Sequence, residues 1–161
     1  MDNTMQISGL PLHPLLVHAV VVLIPLTVAA LLLSQFWPAA RRRLGAVTPA
    51  AALAVAVLVP LTVAAGRSLA QRVGPLPSVQ THQHYATMLL PWALALFAVA
   101  GAQWWWFTRG VRRYPVGSGT LARVAPVFLA VASIVVGAAI LTLVVVAGDT
   151  GARAVWGGLL G

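Results

Sequence analysis

Four long apolar runs constrain this chain more than any other feature. They extend from about Leu15 to Phe36, Ala46 to Ala65, Tyr85 to Phe107 and Val124 to Ala147, and none holds an Asp or an Arg. A helix crossing the hydrocarbon of a bilayer needs about 20 such residues. In hydrocarbon every backbone N–H and C=O must be paired, which admits only helices or closed barrels. Barrel strands are roughly ten residues long and alternate polar with apolar; these runs do not alternate. The expected fold is all-α, an integral membrane four-helix bundle forming a single transmembrane domain over residues 1–161.

Composition narrows the chemistry. Of 161 residues, 60% are hydrophobic and 7% charged, against about 25% charged in soluble domains. Asp2 and Asp149 are the only carboxylates, all ten cations are Arg, and there is no Cys. Disulfides, Cys-ligated clusters, covalent c-type haem and thiol nucleophiles are thereby excluded. Without Lys there is no Schiff base. Two distant carboxylates make neither a paired-acid hydrolase nor a carboxylate proton relay. No phosphate loop of the Walker type is present, and Ser133 lies mid-helix without a His at its depth. No independent catalytic activity is expected.

A net charge of +8 would point to nucleic acid in a soluble protein. Here the arginines sit between apolar runs, so nucleic acid is not an expected partner. Arg41, Arg42 and Arg43 lie in the first connector; Arg109, Arg112, Arg113 and Arg123 lie in the third. The second holds Arg67 and Arg72, and the tail Arg153. By the positive-inside rule the first and third connectors face the cytoplasm and both termini are extracytoplasmic. Trp37 and Trp104 to Trp106 then form the inner aromatic belt, and Trp156 the outer one. Met1–Leu10 has no basic residue, so the first run reads as a retained helix, not a cleaved signal. The localisation expected is the cytoplasmic (inner) membrane.

The runs hint at internal duplication. His18 precedes Pro25 by seven residues, as His84 precedes Pro91. Leu44-Gly-Ala-Val-Thr-Pro49 matches Leu121-Ala-Arg-Val-Ala-Pro126. The chain thus reads as two helical hairpins, about 12–72 and 78–150, related by a pseudo-two-fold axis along the membrane normal. A competing match, Val22 to Ala30 with Val57 to Ala65, joins helices that should be antiparallel. Ala98, Gly101, Ser133 and Gly137 suit close helix packing. Pro25, Pro60 and Pro91 each free a carbonyl inside a span, which could make room for a ligand. Gly117-Ser-Gly119 reads as linker, and Trp156 to Gly161 as a loosely held end.

All four histidines, His13, His18, His82 and His84, fall near the outer face, with Asp149, Arg67, Arg72 and Arg153 on the same side. Ionisable groups at membrane depth suggest function, and cofactors in bundles bind between facing helices. Under the hairpin repeat, His18 and His84 are equivalent. They are the expected axial ligands of a b-type haem, which needs no Cys. Arg67, Arg72 or Arg153 would pair with its propionates. Asp149 would orient one imidazole, with His13 and His82 in support. An alternative is a transition-metal ion (copper, zinc or iron) held by the same His with Met88 or Asp149, for binding or transport. Another is a structural subunit of a larger complex with no cofactor, or association of a second copy.

The segment Pro11-Leu-His13-Pro14-Leu-Leu-Val17-His18 resembles the opening of a family of bacterial four-helix predicted membrane proteins of unknown function, which carries Pro-x-His-Pro-x-x-Val-His there. The family pattern often continues with Phe-Pro, where this chain has Ala19 and Val20. His84 matches the His usual at the head of the third helix. Gly148-Asp-Thr-Gly-Ala-Arg-Ala-Val-Trp156 is similar to the family's closing pattern. The resemblance covers nearly the whole chain. Members occur beside Rieske iron–sulfur or c-type cytochrome domains, which implies a respiratory electron-transfer partner.

Overall fold

The computed structural model describes residues 6–7, 10–74, 76–114 and 119–157. A two-residue antiparallel pairing of β1 (Gln6–Ile7) with β2 (Leu10–Pro11) leads into α1 (Leu12–Phe36). After Trp37 comes the short α2 (Pro38–Leu44), begun by proline in its first turn, where the missing N–H costs no helical bond. Gly45, at φ 44°, ends it and turns the chain into α3 (Val47–Val73). Gly74, at φ 90°, ends α3 in the same way, a conformation favouring glycine. Next come α4 (Pro77–Trp105), a π turn (Trp106–Gly110), α5 (Val111–Arg113) and α6 (Thr120–Trp156).

Four segments, Leu12–Phe36, Val47–Arg72, Pro77–Arg113 and Thr120–Trp156, are long and apolar enough to cross a membrane. The protein is a multi-pass, all-α membrane protein. The helices outrun the expected spans. The third begins at Pro77, eight residues before Tyr85, and the fourth continues to Trp156. His82, His84 and Asp149 therefore sit within helices, whereas His13 lies in the first turn of α1. The first connector contains α2. Gly117 and Ser118 and the last four residues lie outside the described residues.

Consecutive spans pack side by side, and α6 closes the ring against α1. The bundle is an up-and-down ring with α1 and α4 on one diagonal and α3 and α6 on the other. Side chains such as Leu26, Phe128 and Val145 stay exposed on its outside, as lipid-facing residues do. Pro25, Pro60 and Pro91 also face outward, so they do not open space on the axis. Trp106 departs from the expected belt. It is buried, stacks on Tyr114 at 6.2 Å, and has the one buried side-chain polar atom without a partner among the described residues.

The two hairpins are internally equivalent, in a register that differs from the one read in the sequence. On α1 the buried row is Val20, Ile24, Thr27, Leu31 and Ser34; on α4 it is Leu89, Ala93, Leu96, Ala100 and Gln103. Each residue of the second row lies 69 positions after its counterpart. On α3, Thr48, Ala52, Val55, Val59 and Thr62 are buried; on α6, Ser133, Gly137, Ile140, Val144 and Ala147 are buried, each 85 positions later. The side-chain contacts repeat as well. Ser34 Oγ lies 3.3 Å from Thr48 Oγ1, and its counterpart Gln103 Nε2 lies 3.5 Å from Ser133 Oγ. Bulk is exchanged across counterparts: Ile24 against Ala93, Leu31 against Ala100, Thr27 against Leu96. Complementary volumes of this kind keep a core layer filled.

The end of the bundle away from the histidines is knit by polar groups. Gln103 Nε2 donates to Leu31 O at 3.2 Å and to Gln35 Oε1 at 2.8 Å, and Gln35 Nε2 donates to Pro126 O at 3.1 Å. Arg41 turns back from α2. Its Nε donates to Ser34 O at 2.6 Å and its Nη2 to Gln35 O at 2.5 Å, and its guanidinium lies 3.3 Å from the Phe107 ring centre. Those carbonyls belong to the last turn of α1, which a cation stabilises. Burial pulls the Arg41 pKa below its ordinary value.

Candidate functional site

At the other end, the start of α1, the end of α3, the start of α4 and the end of α6 surround an open vestibule of about 680 Å³. All four histidines line it, with Arg67 among the lining residues. A smaller pocket of about 70 Å³ lies deeper, reaching Val20, Val59, Leu89 and Val144 and sharing only the rings of His13 and His82 among the histidines. The pair His13 and His82 thus forms the floor of the vestibule. Below it the axis is filled by Ile24, Val28, Leu96 and Ile140.

His13 and His82 are equivalent, 69 positions apart like the buried rows. His13 Nδ1 is 3.0 Å from Thr62 O on α3, and His82 Nδ1 is 3.0 Å from Ala147 O on α6. A carbonyl only accepts, so each Nδ1 carries the hydrogen. In the neutral rings Nε2 is then left with its lone pair, the arrangement that prepares an imidazole for a metal. Each ring lies against a glycine one turn beyond its carbonyl partner. A Cβ at Gly66 would stand 2.9 Å from His13 Cε1, and one at Gly151 would stand 3.1 Å from His82 Cε1. Thr62 and Ala147, and Gly66 and Gly151, are again 85 apart. The ring centres of His13 and His82 are 6.2 Å apart, with planes at 72°.

The remaining expected site residues do not join this facing pair. His18 is exposed, its Nδ1 2.6 Å from Pro14 O of its own helix. His84 is exposed and its ring meets its neighbour Tyr85 edge-on, at 5.4 Å. These two line the vestibule wall; they are not the pair that faces across the bundle. Asp149 does not orient an imidazole: its Oδ2 accepts from Arg153 Nε at 2.9 Å on the exposed side of α6. The carbonyls of Thr62 and Ala147 take that role. Arg67 lines the vestibule; Arg72, Arg153 and Met88 do not. Met88 is 42% exposed. No group of three or more His, Cys, Asp or Glu side chains converges among the described residues.

A signal for the right pair was present in the sequence. His13 precedes Ser34 by 21 residues and His82 precedes Gln103 by 21; Thr48 precedes Gly66 by 18 and Ser133 precedes Gly151 by 18. Matching polar and small residues aligns the hairpins in the register of the packed bundle, whereas matching His-to-Pro spacing pairs His18 with His84, which do not face one another across it.

No curated protein and no solved structure matches the chain. A family model does, over residues 9–161, so that this four-helix chain with its histidine-floored vestibule belongs to the family described as Predicted membrane protein (DUF2231).

Proposed function

We propose that the protein is a membrane redox subunit that holds a b-type haem between α1 and α4, with His13 and His82 as its axial ligands. The observation that carries this reading is the pairing of two diagonal imidazoles, each with Nδ1 tied to a carbonyl, at 6.2 Å between ring centres. Two imidazoles sharing one metal through bonds of about 2 Å have their centres roughly 6 Å apart. The vestibule falls within the roughly 300–1,000 Å³ of ligand pockets, and Arg67 on its wall suits a propionate.

Two protein ligands favour haem over a bare ion. A macrocycle brings its own four nitrogens, whereas an ion such as zinc takes three or four side chains. A haem held by His13 and His82 would supply electron transfer. The arginine distribution supports a vestibule that opens on the extracytoplasmic side of an inner membrane. The donor or acceptor is then a protein on that side, of the Rieske or cytochrome c class that the family resemblance suggests.

The test is an optical spectrum of the full-length protein purified from cells supplied with haem. A low-spin Soret and alpha band is expected. His13→Ala and His82→Ala should each remove it, and His18→Ala and His84→Ala should leave it. A colourless wild-type protein under ample haem overturns the proposal; so do bands that survive both His13→Ala and His82→Ala. Metal found without haem, lost in those same two variants, would instead assign the pair to an ion.

A further inference from the structure

The bundle end remote from the vestibule carries a second, independent feature. Arg42 and Arg43 on α2, Arg112 and Arg113 on α5, and Arg123 near the start of α6 are exposed. Among the described residues no carboxylate neutralises them: the one acidic side chain there, Asp149, is bound to Arg153 at the histidine end. Arg41 is committed inward to the α1 carbonyls, and Arg109 lies 5.6 Å from the Trp104 ring centre. The unpaired arginines therefore point to a partner that brings negative charge.

Their setting defines that partner. The exposed aromatics Phe36, Trp37 and Trp105, at 60%, 57% and 43% exposure, flank them at the ends of apolar spans. Such side chains mark the depth of lipid head groups. The α2 segment is seven residues long and links two spans directly, which holds Arg42 and Arg43 at that depth. Guanidinium groups engage phosphate oxygens in bidentate fashion, and basic side chains beside a spanning helix attract anionic lipid. We infer that this end is a binding surface for anionic phospholipid, with Arg42, Arg43, Arg112 and Arg113 holding the phosphates of phosphatidylglycerol-type head groups.

The test compares the full-length protein in detergent with added phosphatidylglycerol, phosphatidylcholine or inorganic phosphate, reading thermal midpoint and lipid retained in native mass spectrometry. Phosphatidylglycerol should raise the midpoint and be retained; the other two should not. In a variant with Arg42, Arg43, Arg112 and Arg113 changed to Gln, retention should fall by about fivefold for each arginine removed. The corresponding Lys variant should keep most of it, which covers a Gln variant that fails to fold. Arg72→Gln, at the other end, should leave retention unchanged. Equal stabilisation by phosphatidylcholine overturns the inference, and so does equal stabilisation by inorganic phosphate, which would assign the arginines to a free anion. Undiminished retention in a folded Gln variant overturns it too. Haem content does not enter these readouts.

Discussion

His13 and His82 face one another from diagonal helices, ring centres 6.2 Å apart, each fastened through Nδ1 to a carbonyl of the next helix in the ring. Each ring can sit there because a glycine lies beneath it. The site is thus built twice from one plan: an imidazole from an odd-numbered span, and a carbonyl and a glycine one turn apart from the even-numbered span beside it.

The glycines should therefore be as sensitive as the histidines. A Cβ at Gly66 or Gly151 would come within 2.9 and 3.1 Å of ring carbons, whereas one at Gly101, on α4 away from the vestibule, meets nothing within 4 Å. Gly66→Ala and Gly151→Ala are expected to displace the imidazole and shift or weaken the bound spectrum. Gly101→Ala should leave the spectrum alone and raise helix stability by up to about 1 kcal/mol. Identical spectra for Gly101→Ala and Gly151→Ala would deny the ring-on-glycine contact.

The counterpart register makes a packing prediction. Leu31 and Ala100 are both fully buried and occupy equivalent places. Leu31→Ala should cost about 2–5 kcal/mol by opening a cavity, and Ala100→Leu about 1–3 kcal/mol by overpacking. The double exchange should recover part of the sum, giving a coupling energy of about 1 kcal/mol or more in a mutant cycle. Strict additivity in denaturant titrations would place the two residues in different layers.

Gln103 tests the polar end. It donates to Leu31 O and to Gln35 Oε1 with its side chain buried. Gln103→Leu strands the Gln35 oxygen and should cost about 1–3 kcal/mol. Replacing Gln103 and Gln35 together by Leu should cost less than twice that, since stranding one partner is the expensive step. Thermal midpoints of the three variants decide the matter.

Arg41 separates structural from lipid-facing arginines. Its two bonds to α1 carbonyls and its place over Phe107 predict a loss of about 2 kcal/mol in Arg41→Ala, present equally in anionic and zwitterionic detergent-lipid mixtures. Burial lowers its pKa below the ordinary value of a guanidinium. Such a shift acts only at strongly alkaline pH, so this contribution should be flat from acid to neutral pH. A pH-dependent loss in that window, measured by unfolding of wild type and variant in parallel, would contradict it.

Asp149→Asn provides the negative control. The exposed pair with Arg153 is solvent-screened, and the carboxylate touches neither His13 nor His82. Bound spectrum and midpoint should both match wild type. A changed spectrum would restore Asp149 to the site.

The sequence determined the four crossings, because apolar length alone decides whether a segment can lie in hydrocarbon. It also determined that the histidines share one end and most of the arginines the other, since short connectors leave each little freedom. It did not determine which histidines meet. Spans that are apolar on every face carry no stripe to show which face turns inward, so sequence identity aligned His18 with His84. Rotation about each helix was decided only by tertiary packing, where Gly66 and Gly151 admit a ring and the carbonyls of Thr62 and Ala147 bind it, and where large and small residues trade places between Ile24 and Ala93 and between Leu31 and Ala100.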